Sequence, residues 1–281
     1  MKFIIYENVE DFMKENLELI LEKEWLNCLM VGNCFEGQKI GTQGWILAKV
    51  AEENKTELIL LYRRPYKLLL YSPTDNETDT LYKFAAEEIY KIENNLAGVN
   101  SESKIAEKFS KYYCEVSNKE YKLAKPMKIL TLEKIEEGKL LEDITFREAK
   151  SEDKEILCKF IKDFNSEALK EEMSDEEAFK KYEKYLEKEY YVLEKDGKIL
   201  SQAVIARDLK NGKCISGVYT PKEERKKGYA YNLVYRMSQK FLEEGAKYCV
   251  LYTDAKNPIS NHVYEKIGYR KRVECEEIEF F

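Results

Sequence analysis

Residues 190–220 contain three short runs rich in β-branched and aromatic residues, separated by two pairs of turn residues. Asp196-Gly197 divides the first run from the second, and Asn211-Gly212 divides the second from the third. Both pairs tolerate the positive φ angles that tight hairpins require. The pattern therefore predicts an antiparallel three-stranded meander, and it restricts the chain to folds in which that meander leads directly into a helix.

The helix after the meander begins near a single glycine, Gly228. Its apolar residues recur at the spacing of one helical face, and they are Ala230, Leu233, Val234, Met237 and Phe241. Gly245 is typical of the position just beyond a helix, where a left-handed backbone is common. We therefore expect a helix that ends at about residue 244 and buries one apolar stripe.

The remaining elements of the second half are read from apolar periodicity and from capping residues. A strand over 144–149 precedes a helix over 154–164, which Ser151 or Asp153 can cap. A charged helix follows over 175–189, and a strand over 247–253 comes after the helix that begins near Gly228. Asn257 then caps a short helix with Pro258 at its first position, Gly268 ends it, and residues 269–281 form a final strand or hairpin.

The first half has a similar order of elements. Its predicted elements are a helix capped by Asn8, strands over 44–53, 56–64 and 66–72, a helix over 78–96, a second helix that opens on Ser101, and a strand over 125–135. A change of unit near residues 138–142 divides the chain into two domains, 1–140 and 141–281. The sequence thus predicts a mixed α/β (α+β) protein.

Composition narrows the functional classes. The chain has 281 residues and a net charge of −6, whereas a general nucleic-acid binder usually carries a basic surplus. Seven cysteines without a CxxC pair, together with the single histidine His262, argue against a structural zinc site and favour reduced core cysteines. The short apolar run at the N-terminus and the lack of a spanning stretch predict a cytoplasmic protein with no membrane partner.

Gly228 follows three cations, Arg225, Lys226 and Lys227, at the point where a helix dipole disfavours positive charge. A glycine in this position lets a ligand approach the backbone, and the free N–H groups of a first turn attract an anion. The cations would then pair with phosphate oxygens. The alternative is a solvated loop with a tight turn.

A second cluster lies on the short helix after Asn257. One polar face at helical spacing contains Asn257, Ser260 or Asn261, and Tyr264. The buried face is predicted to contain Ile259, Val263 and Ile267. Tyr264 lies at the border of the two faces, so its alternative role is core packing. His262 is predicted to be exposed and to have no catalytic partner.

Together these segments resemble the GNAT superfamily of N-acetyltransferases. "RKKGYA" from Arg225 to Ala230 matches the acyl-CoA loop [RQ]-x-x-G-x-[GA] of that family, and "NPISNHVYEKIGYRK" matches its closing signature of Asn257, Tyr264, Gly268 and Tyr269. "ITFREAKSEDKEIL" is similar to its opening strand and helix. The resemblance covers about residues 143–281. It implies a GNAT domain with a mostly antiparallel central sheet flanked by helices, and the similar order of elements in the first half indicates a second, GNAT-like domain of the same type there.

The resemblance also implies roles for individual residues. Acetyl-CoA, with no metal, is expected in a cleft between two splayed strands, and Tyr264 is the candidate acid for the departing thiolate. The implied cofactor-binding residues are Val218, Tyr219, Thr220, Arg225, Lys226, Lys227, Gly228, Tyr229, Ala230, Asn257, Ser260 and Tyr264.

The sequence departs from the family at the general base that would remove the proton of the amine. Many relatives place a glutamate on this strand or the next, but here the strand over 213–220 carries no carboxylate. Asp254 alternates onto the same face as Tyr252 and is a candidate base, although a strand-end aspartate or a water chain is equally compatible.

The first half has "PTDNETD" where the second half has its glycine and basic cluster, so it is interpreted as a diverged domain without a cofactor loop. It would wall the acceptor site or form a subunit contact, as in a homodimer. The expected activity is N-acetyl transfer to a primary amine of a small molecule or peptide. A non-catalytic acyl-CoA sensor or protein-interaction module is the alternative.

Overall fold

The computed structural model describes residues 1–76 and 78–281, and its chain packs into two compact units. The N-terminal unit comprises Met1–Ile129, Thr253–Lys256 and Lys271–Phe281, and the C-terminal unit comprises Leu130–Tyr252 and Asn257–Arg270. Residues 130–140 thus pack with the second unit and the last strand with the first, which differs from a single division at residue 140. Chain order alone does not indicate which sheet a terminal strand joins.

The secondary structure is mixed throughout. The strands are β1 (Lys2–Tyr6), β2 (Ile46–Glu52), β3 (Lys55–Tyr62), β4 (Leu68–Tyr71), β5 (Gly98–Glu102), β6 (Tyr121–Leu132), β7 (Thr145–Glu148), β8 (Tyr190–Lys195), β9 (Lys198–Asp208), β10 (Gly212–Tyr219), β11 (Tyr248–Asp254) and β12 (Arg270–Phe280). The helices are α1 (Val9–Glu22), α2 (Cys28–Ile40), α3 (Asp79–Ile92), α4 (Ser103–Ser117), α5 (Lys154–Phe164), α6 (Asp175–Leu186), α7 (Tyr229–Glu243) and α8 (Pro258–Ile267). In the described parts of the chain, no helix combines the length and the apolar character needed to cross a membrane.

The sheet of the N-terminal unit contains the neighbours β1-β2-β3-β4-β5-β12 in that order. These strands pair antiparallel except β4 and β5, which run parallel. Helices α3 and α4 bury their apolar faces against this sheet, and Ile278 and Phe280 of β12 belong to the same core. The last strand therefore completes the core of the first unit.

The sheet of the C-terminal unit has the order β11-β10-β9-β8-β7 and is antiparallel except for the β10–β11 pair. Alternate residues of β8 enter different cores, as strand geometry requires. Tyr190 and Val192 pack with α5 and α6, whereas Tyr191 and Leu193 pack with α7 and α8. The unit is therefore a three-layer sandwich with a helical layer on each face of its sheet.

Most predicted elements are confirmed, including the meander and the helix caps at Asn8 and Asn257. Asp196 and Gly197 form the β8–β9 turn with φ of 51° and 76°. The segment over 269–281 contains one strand, Arg270–Phe280, and not a hairpin. Ser101 as a helix cap was wrong, because it lies in β5, where its hydroxyl donates to the carbonyl of Leu70 at 2.7 Å.

Candidate functional site

The two parallel strands of the C-terminal unit separate soon after they begin. Strands β10 and β11 pair at three positions, from Gly212 opposite Tyr248 to Cys214 opposite Val250. On its other edge β10 has an irregular register between Ser216 and Tyr219, where Gly217 adopts a φ of +61°. An extra residue in one strand bends that strand. The β10–β11 pairing therefore ends at Cys214 and Val250 although both strands continue, and the bulge in β10 accounts for the loss of pairing.

The connection from β10 to α7 leads from the carboxyl end of β10 to a helix start. It passes through a 3₁₀ turn over Lys222–Glu224 and a left-handed Lys226, and it ends at Gly228 with a φ of +85°. No side chain caps α7 in the described chain, so the first-turn N–H groups of residues 229–231 point out of the helix start. The loop therefore presents several amide donors together.

A buried asparagine holds the first turn of α7 in place. Asn232 is 2 % exposed, and its Nδ2 donates to the carbonyl of Gly228 at 3.0 Å. Its Oδ1 accepts from the amide of Leu141 at 2.8 Å. Both polar atoms of the Asn232 side chain form hydrogen bonds. The orientation of the first turn of α7 is therefore defined before any ligand binds.

The predicted basic cluster is only partly free. Arg225 pairs with Glu167 at 2.7 Å and Lys227 pairs with Glu224 at 2.7 Å. Within residues 1–76 and 78–281, Lys226 is the member of the cluster without a carboxylate partner. That the cluster pairs with phosphate stays a prediction, and in the described chain the ammonium of Lys226 is the member of the cluster that no ion pair holds.

Helix α8 carries the other predicted residues. The Asn257 Oδ1 accepts from the amides of Ile259 and Ser260, each at 3.2 Å, and the Ser260 hydroxyl donates to the carbonyl of Asn257. The prediction that Ile259 is buried was wrong, since it is 73 % exposed. It lies in the first turn, where the helix extends beyond the core that buries Ile267.

Tyr264 lies closer to the core than its predicted border position. It is 9 % exposed, and its ring meets that of Tyr269 edge-on at 6.0 Å. Its hydroxyl has no hydrogen-bond partner in the described part of the chain. Burial raises the pKa of Tyr264 to about 12, so the phenol keeps its proton throughout the physiological range.

Asp254 lies in a turn at the end of its strand, as its alternative structural role predicts. Its Oδ1 accepts from the amide of Lys256 at 2.8 Å, which closes the turn after β11. The residue belongs to the N-terminal unit, whereas Tyr252 and Tyr264 belong to the C-terminal unit. Its function as a base stays a prediction.

The corresponding loop of the N-terminal unit is organised differently. Between β4 and α3, the side chains of Thr74 and Asn76 donate to Glu57 at 2.6 and 2.9 Å. A buried carboxylate thus holds this loop where the C-terminal unit has a helix start and cations. Glu77 lies outside the described residues. It belongs to "PTDNETD", the segment that is interpreted as a loop unable to bind the cofactor.

Two carboxylates near the end of β10, those of Asp163 and Glu167, had no signal in the sequence. Tyr219 donates its hydroxyl toward Glu167 at 3.2 Å and Asp163 at 3.3 Å. Burial first, and then these two carboxylates, raise the pKa of Tyr219.

Among the described residues no group of three or more His, Cys, Asp or Glu side chains is arranged to hold a metal ion.

Residues 154–269 match the model of the acetyltransferase (GNAT) family. The C-terminal half of the chain carries a GNAT domain. No curated protein matches the chain in sequence. The matched range contains β10, β11, the Gly228 loop and all of α8, so these elements belong to the GNAT domain.

Solved structures extend the likeness to the whole chain. A GNAT-family acetyltransferase from Colwellia psychrerythraea has a TM-score of 0.59 at 12% identity, over 100% of this chain and 99% of that one. A Drosophila protein has a TM-score of 0.67 at 11% identity, over 99% and 98% of the two chains. A GCN5-related N-acetyltransferase from Sphaerobacter thermophilus has a TM-score of 0.63 at 13% identity, over 99% and 95%. These likenesses confirm the predicted fold, with a GNAT domain preceded by a GNAT-like N-terminal half.

Proposed function

We propose that the protein transfers an acetyl group from acetyl-CoA to a primary amine of a small molecule or peptide. The observation that carries the proposal is the uncapped start of α7, preceded by the left-handed Gly228, beside the diverging ends of β10 and β11 in a GNAT domain. Amide donors at a helix start are suited to a pyrophosphate. The gap between the strands is suited to the extended arm that joins the pyrophosphate to the thioester.

The roles of the cofactor-binding residues differ. Backbone groups of Val218, Tyr219 and Thr220 would contact the arm, and amides from Arg225 to Ala230, including that of Tyr229, would contact the pyrophosphate. Because the Oδ1 of Asn257 already caps α8, its contribution to the arm would come from its Nδ2. Ser260 lies on the same helical turn.

Direct attack by the amine requires three functions: removal of an amine proton, stabilisation of the oxyanion and assistance to the departing thiolate. Tyr264 suits the third. A thiol of ordinary pKa, about 8.5, is a stronger acid than a phenol whose pKa is about 12. Tyr264 therefore stabilises the thiolate by donating a hydrogen bond more than by completing a proton transfer. Asp254 or water remains the proposed base.

We expect Lys226→Ala to weaken coenzyme A binding several-fold, about 3- to 10-fold, and to leave pantetheine binding unchanged. An exposed cation contributes through screened Coulomb attraction, so the effect should shrink as salt is added. Calorimetry with both ligands measures it. Lys180→Ala is the matched control, because Lys180 is an exposed lysine on α6 paired with Glu176. Equal losses for both ligands would identify Lys226 as part of a solvated loop.

The alternative, a non-catalytic acyl-CoA sensor, is favoured by the lack of a carboxylate on β10. Release of the coenzyme A thiol in the presence of a panel of amines separates the two. Amine-dependent release supports the transferase, and tight acetyl-CoA binding without release by any amine supports the sensor.

A further inference from the structure

The Glu167 carboxylate joins the segment that directly follows α5 to the end of β10 and the first part of the β10–α7 loop. The Glu167 Oε2 accepts from Nη2 of Arg225 at 2.7 Å, and its Oε1 accepts from the Tyr219 hydroxyl at 3.2 Å. Lys222 lies 3.8 Å from Oε1. Both oxygens of Glu167 are therefore used by residues of the segment from Tyr219 to Arg225.

The segment that carries Glu167 is itself held firmly. α5 continues into a single π-helical turn over Asn165–Leu169, which ends at the left-handed Lys170. Asn165 is 1 % exposed, its Nδ2 donates to the carbonyl of Ile161 at 2.6 Å, and its Oδ1 accepts from Lys181 at 3.1 Å. A wide turn of this type shifts the following side chains relative to an α-helix. The turn thereby directs Glu167 to the loop.

The contacts define the orientation of the Arg225 guanidinium. Nε donates to the carbonyl of Thr220 at 2.9 Å, and Nη2 donates to Glu167. An arginine has five N–H donors in a rigid plane. Nη1 has no hydrogen bond in the described chain, so one edge of the plane is oriented and still available.

Glu167 is charged under ordinary conditions. Burial alone would raise its pKa, but the hydrogen bond from Arg225 and the charges of Arg225 and Lys222 outweigh burial, and the pKa is lowered. The pair therefore persists at neutral pH and keeps Arg225 folded back against the end of β10.

We infer that Glu167 is a positioning residue for the phosphate end of the cofactor, because it holds Arg225 so that its free Nη1 edge can donate to a phosphate oxygen. The inference rests on the proposed function, since it concerns the same loop and ligand. Glu167 itself would not contact the ligand. Its removal should therefore affect ligands that carry phosphate and spare those that do not.

The test is calorimetry of the full chain with coenzyme A and with pantetheine, which lacks the phosphates. Glu167→Gln keeps the size of the side chain and removes its charge. We expect about a 10-fold weaker affinity for coenzyme A, typical of a coupled charged pair, and an unchanged affinity for pantetheine. Glu176→Gln is the matched control, because Glu176 is an exposed glutamate in the same unit whose partner is Lys180. It should change neither affinity.

A double variant tests whether Glu167 acts through Arg225. If Glu167 acts by orienting Arg225, then Arg225→Gln combined with Glu167→Gln should bind coenzyme A no more weakly than Arg225→Gln alone. Additive losses, equal losses for both ligands, or tighter coenzyme A binding in Glu167→Gln would each overturn the inference; tighter binding would mean that Glu167 competes with phosphate. If the wild-type chain binds no coenzyme A, it is the proposed function that fails.

Discussion

Replacing Gly228 with glutamate should weaken coenzyme A binding by more than about 100-fold. Gly228 has a φ of +85°, and a Cβ there would meet only the Asn232 Nδ2, at 3.7 Å. Space therefore permits a side chain, so backbone strain lowers stability and the position of the carboxylate lowers affinity. A left-handed non-glycine residue costs about 1–2 kcal/mol, and the carboxylate would lie where the amides of α7 are expected to bind pyrophosphate. Calorimetry measures the loss.

The same helix supplies a matched control. Gly245 lies just beyond α7 with a φ of +99° and open space around its Cβ position. Gly245→Glu therefore introduces the same residue with similar backbone strain at the opposite end of the helix. It should lower the melting temperature about as much as Gly228→Glu does and leave coenzyme A affinity intact. If folded Gly228→Glu retains wild-type affinity, the loop does not bind the cofactor.

Tyr264→Phe should lower kcat about 100-fold and leave the acetyl-CoA dissociation constant unchanged. The substitution keeps the buried ring and its contact with Tyr269, and it removes one hydroxyl that has no partner in the described chain. A placed proton donor typically contributes about 10²–10⁴-fold. We expect the lower end, since a phenol with a pKa of about 12 acts mainly by hydrogen bonding. Steady-state kinetics with an acceptor amine measures kcat.

Tyr269→Phe distinguishes catalysis from packing. The Tyr269 hydroxyl lies 2.8 Å from that of Ser238 in the core, so its removal should cost stability, about 1 kcal/mol, without a large change in kcat. The melting temperature of Tyr264→Phe should stay near that of the wild type. Unchanged kcat in Tyr264→Phe would restrict Tyr264 to the core, and would show that the thiolate departs without its help.

Much of the fold is predictable because its signals are local. Asp196-Gly197 determines a hairpin through its own φ angles, and Gly245 ends α7 in the same way. Helix α2 was not predicted, since "CLMVGNCFEGQKI" contains two glycines and has no apolar stripe. Strand β5 was missed for another reason: it is five residues long, "GVNSE", and obtains its stability from pairing with β4 and β12.

The candidate site also combines features that local sequence predicts with features that depend on contacts between distant residues. Gly228 and Asn257 were found because a left-handed turn and a helix cap are encoded where they occur. The bulge at Gly217 depends on the register between β9 and β10, and the contact from Glu167 to Arg225 joins residues 58 positions apart. Neither has a signature in residue spacing, so both required the three-dimensional structure.

We propose that the C-terminal unit holds the cofactor between the unpaired ends of β10 and β11. A crystal structure of the full chain with coenzyme A tests it most directly. We predict electron density for the arm between those strands, with the pyrophosphate at the amides that begin α7. Density for the cofactor at the loop between β4 and α3 of the N-terminal unit, or a pyrophosphate remote from Gly228, would contradict the account.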